Sequence, residues 1–513
     1  MLLGNIPTWQ RNKQDAKQLL GYLPIIKISA KNKPIVRQTF HKCLEILLEP
    51  IQKYSNLGIN MSINNKVVWL YPKVSTIIAD WLEAATFCLT YKSTNSNYPC
   101  HFCLVNRKNL ASIECSKHDL VLRNHENMRN YFENGDKNSV YIESIPNYFW
   151  NFKKNLASIE CSKHDLVLRN HENMRNYFEN GDKNSVYIES IPNYFWNFND
   201  INIYEATVID RMHYLDLGLF KHQINFTLDL LKEQYGASIL DKINNRLANI
   251  PRFLGLKIFK NGISSLARIT AGEYHNIMKV MIFVLDNLNI GKTIQEKLLK
   301  LYEVWNNMYI FSRYGEFTES DLNDFENLII DWAKKFIALF NTYSNSELKF
   351  PKLHSCIYHT TDLIKKYSSL NSFSTETYES LHKDFVKKPY YLTNKQNIED
   401  QILKMVQRQA VASKLLSRKP KNFKTITPFK FTNLIWTIYL LLNIETTKES
   451  VLNLILIRWY DFKSTNDLYY YGCPRLKKTE LYNIVDIEAI KNHVHIIPRF
   501  DKSNDYLVNK YIF

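Results

Sequence analysis

The chain has no apolar run near the roughly 18 residues that carry a helix across a bilayer. Its nearest candidates, MIFVLDNL and IWTIYLLLN, are short and interrupted. The opening MLLGNIPTWQRNKQDAK holds too short an apolar stretch for a signal peptide. Eight cysteines in 513 residues are too few for a disulfide scaffold. Two of them sit in Cys100-His101-Phe102-Cys103, a pairing that suits a reducing compartment and a metal ion. No long segment has the composition of a disordered chain, and 45% apolar residues supply large cores. These absences lead to the expectation of an intracellular protein of two to four domains with no membrane partner.

Acids are also scarce. There are 50 against 66 basic residues, a net charge of +16. That balance suits a nucleic-acid partner, although a Lys- and Asn-rich proteome gives the same total. The strongest local bias is KLLSRKPKNFKTITPFK (414–430), with six basic residues and no acid. Lys414, Arg418, Lys419, Lys421 and Lys424 make it either a DNA-facing strip or a solvated linker.

Substitutions are missing where they would be expected. Residues 108–152 recur unchanged at 154–198, a period of 46. Solenoid repeats drift in their surface residues and need about three copies to bury a continuous core. Two identical copies point instead to an in-frame duplication or an error of gene assembly.

The hydrophobic pattern orders the rest. VRQTFHKCLEILLEPIQKY (36–54) has helical spacing at Phe40, Leu44, Leu47 and Ile51, with Pro50 placed to bend or end the helix. LLGYLPIIKIS (19–29) reads as a strand approach. GINMSINNKVVWLYPKVSTIIAD reads as two or three strands with a turn at Asn64-Asn65, the last strand ending at Asp80. A carboxylate at the carboxyl end of a buried strand is a common catalytic position. Residues 81–91 and most of 216–345 read as helix. EYHNIMKVMIFVLDNL (273–288) is apolar nearly all round and so buried. Thr318 with Asp321 makes a capping box for 318–340. The runs LILIRWYDF, LYYYG, HVHIIPRF and YLVNKYIF form a small β-rich domain from 451 onward.

Four segments together carry a resemblance: VSTIIADWLEAATFCLTYKSTNSNYPCHFC (74–103), VIDRMHYLDLGLFKHQ (208–223), IPRFLGLKIF (250–259) and FPKLHSCIYHTTDLIKKYSSLNSFSTETYESLHKDFVKK (350–388). In order and spacing they resemble the Plavaka-type transposases of fungi, in the Kyakuja-Dileera-Zisupton group of cut-and-paste DNA transposons. The resemblance implies an α/β plus α fold, an RNase H-like core interrupted by a helical insertion. Two Asp and one Glu would hold two divalent ions, Mg²⁺ or Mn²⁺, for in-line phosphoryl transfer. DNA would be the partner, through transposon ends and non-specific phosphate contacts, with a homodimer allowed, no small-molecule substrate, and a nuclear location.

Carried over by position, Asp80 matches the family's second Asp, although Leu82 stands where relatives have Pro. The Glu falls in STETYESLH, with Glu379, followed by His382, as first choice and Glu376 as second. Asp210 and His213 match a short Asp-x-x-His signature that would buttress the site or touch DNA, or form a buried hydrogen-bonded pair. The family's first Asp has no counterpart, because the only early acid is Asp15 in a polar QDAK stretch. The expectation is therefore an incomplete core lacking its first strand, and weak or absent catalysis.

The resulting division is 1–99, the N-terminal part of the core; 100–207, the Cys/His segment with the duplication; and 208–349, the helical insertion. The C-terminal part of the core follows at 350–416, then a basic linker and helix at 417–450, and the β-rich domain at 451–513. Cys100 and Cys103 with Cys115 and His118 have the ligand types and spacing of a structural Zn²⁺ knuckle. Cys161 and His164, in the second copy, compete for the same pair. The copy at 154–198 is expected to pack natively, because it runs directly into the rest of the fold. Two readings besides a transposase fragment stay open: a non-catalytic DNA-binding protein, and a zinc-stapled interaction protein.

Overall fold

The computed structural model describes residues 33–63, 65–90, 99–103, 105–113, 193–198, 200–257, 259–263, 269–416, 435–445, 451–463, 469–486 and 493–512. It also describes parts of 6–23 and residues 96, 174, 175, 179 and 191. These form two compact units, residues 1–223 with 311–377, and residues 224–310 with 378–513. Among the described residues no helix is long and apolar enough to cross a membrane.

The first unit opens on the helix Lys33–Leu57. Leu44 and Leu48 are its buried stripe, with Phe40 and Ile51 packed beside them. The helix runs through Pro50 rather than ending there. Proline removes one N–H and leaves the Ile46 carbonyl without its helical partner, at a cost of about 3 kcal/mol. Pro50 and Ile46 both lie on the exposed face, where water can take that carbonyl, and the apolar stripe holds both halves to one core.

That core is completed from the far end of the duplication. Tyr194, Phe195, Trp196 and Phe198 are buried against Leu44, Leu48, Cys88 and Tyr204. His41 ties three segments together. Its Nε2–H donates to Thr86 O at 3.0 Å, and its Nδ1 accepts from Tyr194 N at 3.3 Å. Acceptance at Nδ1 requires neutral imidazole, and burial pushes its pKa down to about 4. The fold uses the opening of the first copy and the close of the second. Leu110 is buried and Ser112 O accepts from Tyr358 Oη at 2.8 Å, whereas the aromatic tail in the core is Tyr194–Phe198. Residues 114–173 lie outside the described residues.

Three strands follow the sequence reading. β1 (Ile59–Ile63) and β2 (Lys66–Leu70) pair antiparallel around Asn65, whose φ of +61° is a turn conformation that asparagine tolerates. β3 (Ile77–Ala79) pairs in parallel with β4 (Thr207–Ile209), with Ala79 opposite Ile209. β4 is buried throughout. A parallel pair needs a long crossover, and here the Cys/His segment and both copies lie within it. The strand approach at 19–29 falls almost wholly outside the described residues. The helix Glu319–Phe340 starts with the expected Thr318/Asp321 capping box. Leu322, Phe325, Ile329, Trp332 and Phe336 are its buried face.

In the second unit, the helix Ala271–Leu285 is capped by Thr270 and Glu273 and is buried almost all round. Arg246 closes its far end, donating to Val284 O at 2.9 Å and Asn287 O at 2.8 Å. A guanidinium satisfies last-turn carbonyls and complements the helix dipole there. The C-terminal sheet has the order β5-β6-β8-β10-β9, with β7 beside β8. These are β5 (Ile435–Glu445), β6 (Val451–Phe462), β7 (Tyr469–Tyr470), β8 (Cys473–Asp486), β9 (Ile496–Pro498) and β10 (Tyr506–Val508). The expectation of helix within 417–450 is corrected at β5. IWTIYLLLNIE lies antiparallel to β6 over nearly its whole length. A short apolar run rich in β-branched and aromatic residues has no periodicity to separate helix from strand, and the adjacent β6 decides it. A buried network ties sheet to helix end: Arg499 pairs with Asp286 at 2.8 Å and Asp505 at 2.9 Å.

Candidate functional site

Two groups of reactive side chains meet around β4, both within the first unit. The first lies at the strand ends. Parallel pairing sets Asp80 and Asp210 just past the carboxyl ends of β3 and β4, and Asp210 N donates to Ala79 O at 3.1 Å. The two aspartates have opposite surroundings. Asp80 is the N-cap of the helix Trp81–Phe87, accepting from Glu83 N at 2.7 Å. Asp210 is fully buried, and both its oxygens are engaged. Oδ1 accepts from Thr375 N at 2.6 Å and Met212 N at 3.3 Å. Oδ2 accepts from His213 N at 2.9 Å and His213 Nδ1 at 2.5 Å. Burial opposes the charge of Asp210, and the His213 and Thr375 hydrogen bonds outweigh it, so its carboxyl is held below the usual range.

The Thr375 bond brings the segment that carries Glu376 to the end of β4. Arg211 N donates to Phe373 O at 2.9 Å, and its guanidinium reaches Glu376 Oε2 at 3.4 Å. Glu376 itself stays exposed at the first turn of the helix Glu376–His382. Of the two glutamates expected, this one is joined to the Asp210 cluster. Glu379 and His382 lie further along the same helix and are exposed.

Lys352 is the residue that motif reading passed over. Its ammonium donates to His213 O at 2.7 Å. Burial lowers its pKa, and the charges of Asp80 and Asp210 act to raise it. Gly218, in the π-helix Met212–Phe220, makes the room. A Cβ there would sit 2.9 Å from both Lys352 Cδ and His213 O. π-helical turns are rare and concentrate at functional sites. FPKLH therefore delivers a cation to the strand-end carboxylates, a placement that only tertiary structure reveals.

The second group stands behind β4. Cys100, Cys103, His354 and His359 bring their ligand atoms within 4.8 Å of one another. Cys103 Sγ lies 3.2 Å from His354 Nε2. Tetrahedral Zn²⁺ with bonds of about 2.0–2.3 Å needs ligand atoms about 3.3–3.8 Å apart. Two thiols and two imidazoles are a common zinc donor set. Burial disfavours a Cys100 thiolate, yet hydrogen bonds from Cys103, His354 and His359 hold that thiol well below its usual range. His354 Nδ1 and His359 Nε2 are buried without a hydrogen-bond partner among the described residues. The residues fit a metal ion such as zinc.

Cys100 and Cys103 were expected from their spacing. Cys115, His118, Cys161 and His164 lie outside the described residues. The partners the structure supplies are His354 and His359, roughly 250 positions on; the Cys103–His354 separation is 251. Their signal in the sequence is the His-x₄-His spacing of HSCIYH. The group also touches the strand pair, since His101 Nε2 meets Thr207 O at 3.0 Å. Lys414 falls in the last turn of the helix Ile398–Leu416; Arg418, Lys419, Lys421 and Lys424 lie outside the described residues.

The strand pair thus carries an acidic group at its carboxyl ends and a Cys₂His₂ group that fits a metal ion beside it. Residues 1–227 match the family model described as Plavaka transposase, in agreement with the motif resemblance. The matched stretch contains Asp80, the cysteine pair, the duplication and Asp210–His213, and it supports a transposase-derived protein. No curated protein matches the chain.

Proposed function

We propose that this chain is a transposase-derived DNA-binding protein with an acidic site too weakly provided with ligands for efficient strand transfer. The observation that carries the reading is the unequal state of the two strand-end aspartates. Asp210 spends both oxygens on Met212, His213 and Thr375, which makes it a buttress. Asp80 and Glu376 are the carboxylates left to face a divalent ion, and both are suited to hard cations. Such an ion, when bound, polarises phosphate oxygens and stabilises the leaving oxygen. Asp80, under the charge of the Lys352 ammonium, and Glu376, paired with Arg211, bind it weakly. The Cys100/Cys103/His354/His359 group, holding zinc, fastens 100–103 to the helix Pro351–Tyr358 and so sets Lys352 and Glu376 against β4.

The test uses the purified full chain, Mn²⁺ titration, and a labelled plasmid and duplex. The expected result is salt-sensitive duplex binding without metal, Mn²⁺ affinity abolished by Asp80→Ala, and strand nicking no faster than that of the variant. Efficient Mg²⁺-dependent nicking that disappears in Asp80→Ala would overturn the weak-site reading and make the chain an active nuclease. Failure to bind DNA at low salt would overturn the DNA reading and leave a zinc-stapled interaction protein.

A further inference from the structure

In the second unit a short stretch exposes aromatic side chains on a firmly tied turn. It comprises the π-helix Lys383–Lys387, the helix Lys388–Leu392 and the turn into the helix Ile398–Leu416. Tyr391 is 78% exposed and Leu392 75%. Gln401 Nε2 donates to Asn394 Oδ1 at 2.5 Å, and Thr393 Oγ1 to Tyr390 O at 2.8 Å. Lys395 and Asn397 take positive φ, +66° and +44°. The Lys395 ammonium lies 3.6 Å from the Tyr390 ring centroid and 5.5 Å from that of Tyr391. A lysine held in left-handed backbone over two rings is a constrained arrangement.

Lysines dominate the charge before and within the turn, and the acids Glu399 and Asp400 follow in the first turn of the helix Ile398–Leu416. Lys383, Lys387, Lys388 and Lys395 are exposed. Asp384, the acid among them, pairs with Lys388 at 2.6 Å. Among the described residues no ion pair engages Lys383 or Lys387. Protein interfaces are depleted in lysine, so lysines framing exposed tyrosines do not suit a protein partner. They do suit single-stranded nucleic acid, whose phosphates meet the ammonium groups while a base stacks on an aromatic face.

We propose that Lys383–Lys395 is a platform for single-stranded DNA, with Tyr391 stacking on an unpaired base and Lys387 and Lys388 on the flanking phosphates. The inference rests on the DNA-handling reading above and assigns it a strand type and a surface. It is tested by fluorescence anisotropy of the full chain with a dT oligonucleotide of about 20 nucleotides and a duplex of the same length. Tyr391→Ala should weaken dT binding about tenfold, leave duplex binding unchanged, and be rescued by Tyr391→Phe. Replacing Lys387 and Lys388 by Ala should reduce the salt slope of dT binding by about 1.4. If Tyr391→Ala binds dT like the wild type, or loses dT and duplex equally, the platform is wrong although DNA binding stands. If the wild type binds neither DNA, the preceding reading falls with it.

Discussion

The ends of β3 and β4 place two aspartates in matching positions and give them opposite chemistry. Past β4, Asp210 is buried and spends its carboxylate on the chain itself. Past β3, Asp80 gives one hydrogen bond's worth of capping and remains partly open. The β4 side also carries the Cys₂His₂ group, through His101 and Thr207. One side of the strand pair is devoted to holding the fold, and the other leaves a carboxylate partly exposed. Equal residue types at equal strand positions therefore do not have equal roles. The number of hydrogen bonds already accepted decides.

The largest effect that sharpens this contrast lies behind β4. Purified chain should contain one zinc per molecule, and removing it with a chelator should unfold the first unit. Structural zinc contributes on the order of 10 kcal/mol to small folds. Cys100→Ser and His354→Ala should each abolish the bound metal, read by elemental analysis, and the cooperative melt, read by circular dichroism. Metal content unchanged in both variants would put the zinc ligands elsewhere.

Next in size is Asp210. Asp210→Ala strands the N–H groups of Thr375 and His213 in a buried site and should cost about 3–5 kcal/mol. The native carboxyl pKa lies below its unfolded value. Its contribution is therefore complete above about pH 4 and is lost as pH falls through the folded value. Asp210→Asn should flatten that acid limb of a stability-pH curve. Asp80→Asn, by contrast, should cost no more than about 1 kcal/mol, the worth of a helix cap. An Asp80 variant as unstable as the Asp210 variant would break the contrast.

A smaller effect separates Lys352 from a simple structural role. Removing an ammonium that acts on both Asp80 and Asp210 should tighten Mn²⁺ binding in Lys352→Met about tenfold, since like charges several Å apart repel by a kcal/mol or more at an effective dielectric of about 20. Lys352→Arg keeps the charge and should bind Mn²⁺ like the wild type. Equal affinities in all three proteins would confine Lys352 to its bond with His213 O.

What was legible in the sequence follows the range of the interactions. The Thr318 capping box, the buried helix at 273–288, the turn at Asn65 and the strand ending at Asp80 all depend on neighbours within a few residues. They could be read from spacing. The Cys100–Cys103 pair was legible as half of a metal group for the same reason. His354 and His359 are a local pair in HSCIYH, but nothing local joins that pair to cysteines some 250 positions away. β5 was read as helix because its apolar run has no period, and only β6 fixes it. Pro50 reads as a bend or an end because local cost is visible in sequence, whereas the core that offsets it, built with Tyr194 and Phe195, comes from about 145 residues on.

The smallest predicted effect concerns the duplication. The described core takes Leu110 and Ser112 from the first copy and Tyr194–Phe198 from the second. Because the copies are identical, deleting 108–153 or 153–198 yields the same polypeptide, joining Arg107 and Asn199 through one 45-residue unit. That unit still begins with the residues packed near Tyr358 and ends with those packed on Leu44. Shortening the connection by 46 residues changes its closure entropy by less than about 1 kcal/mol, since the cost grows only with the logarithm of length. The deletion should therefore melt within a few degrees of the full chain, retain its zinc and bind duplex DNA as before. A loss of several kcal/mol would mean that both copies pack, and that the second adds a surface the strand pair depends on.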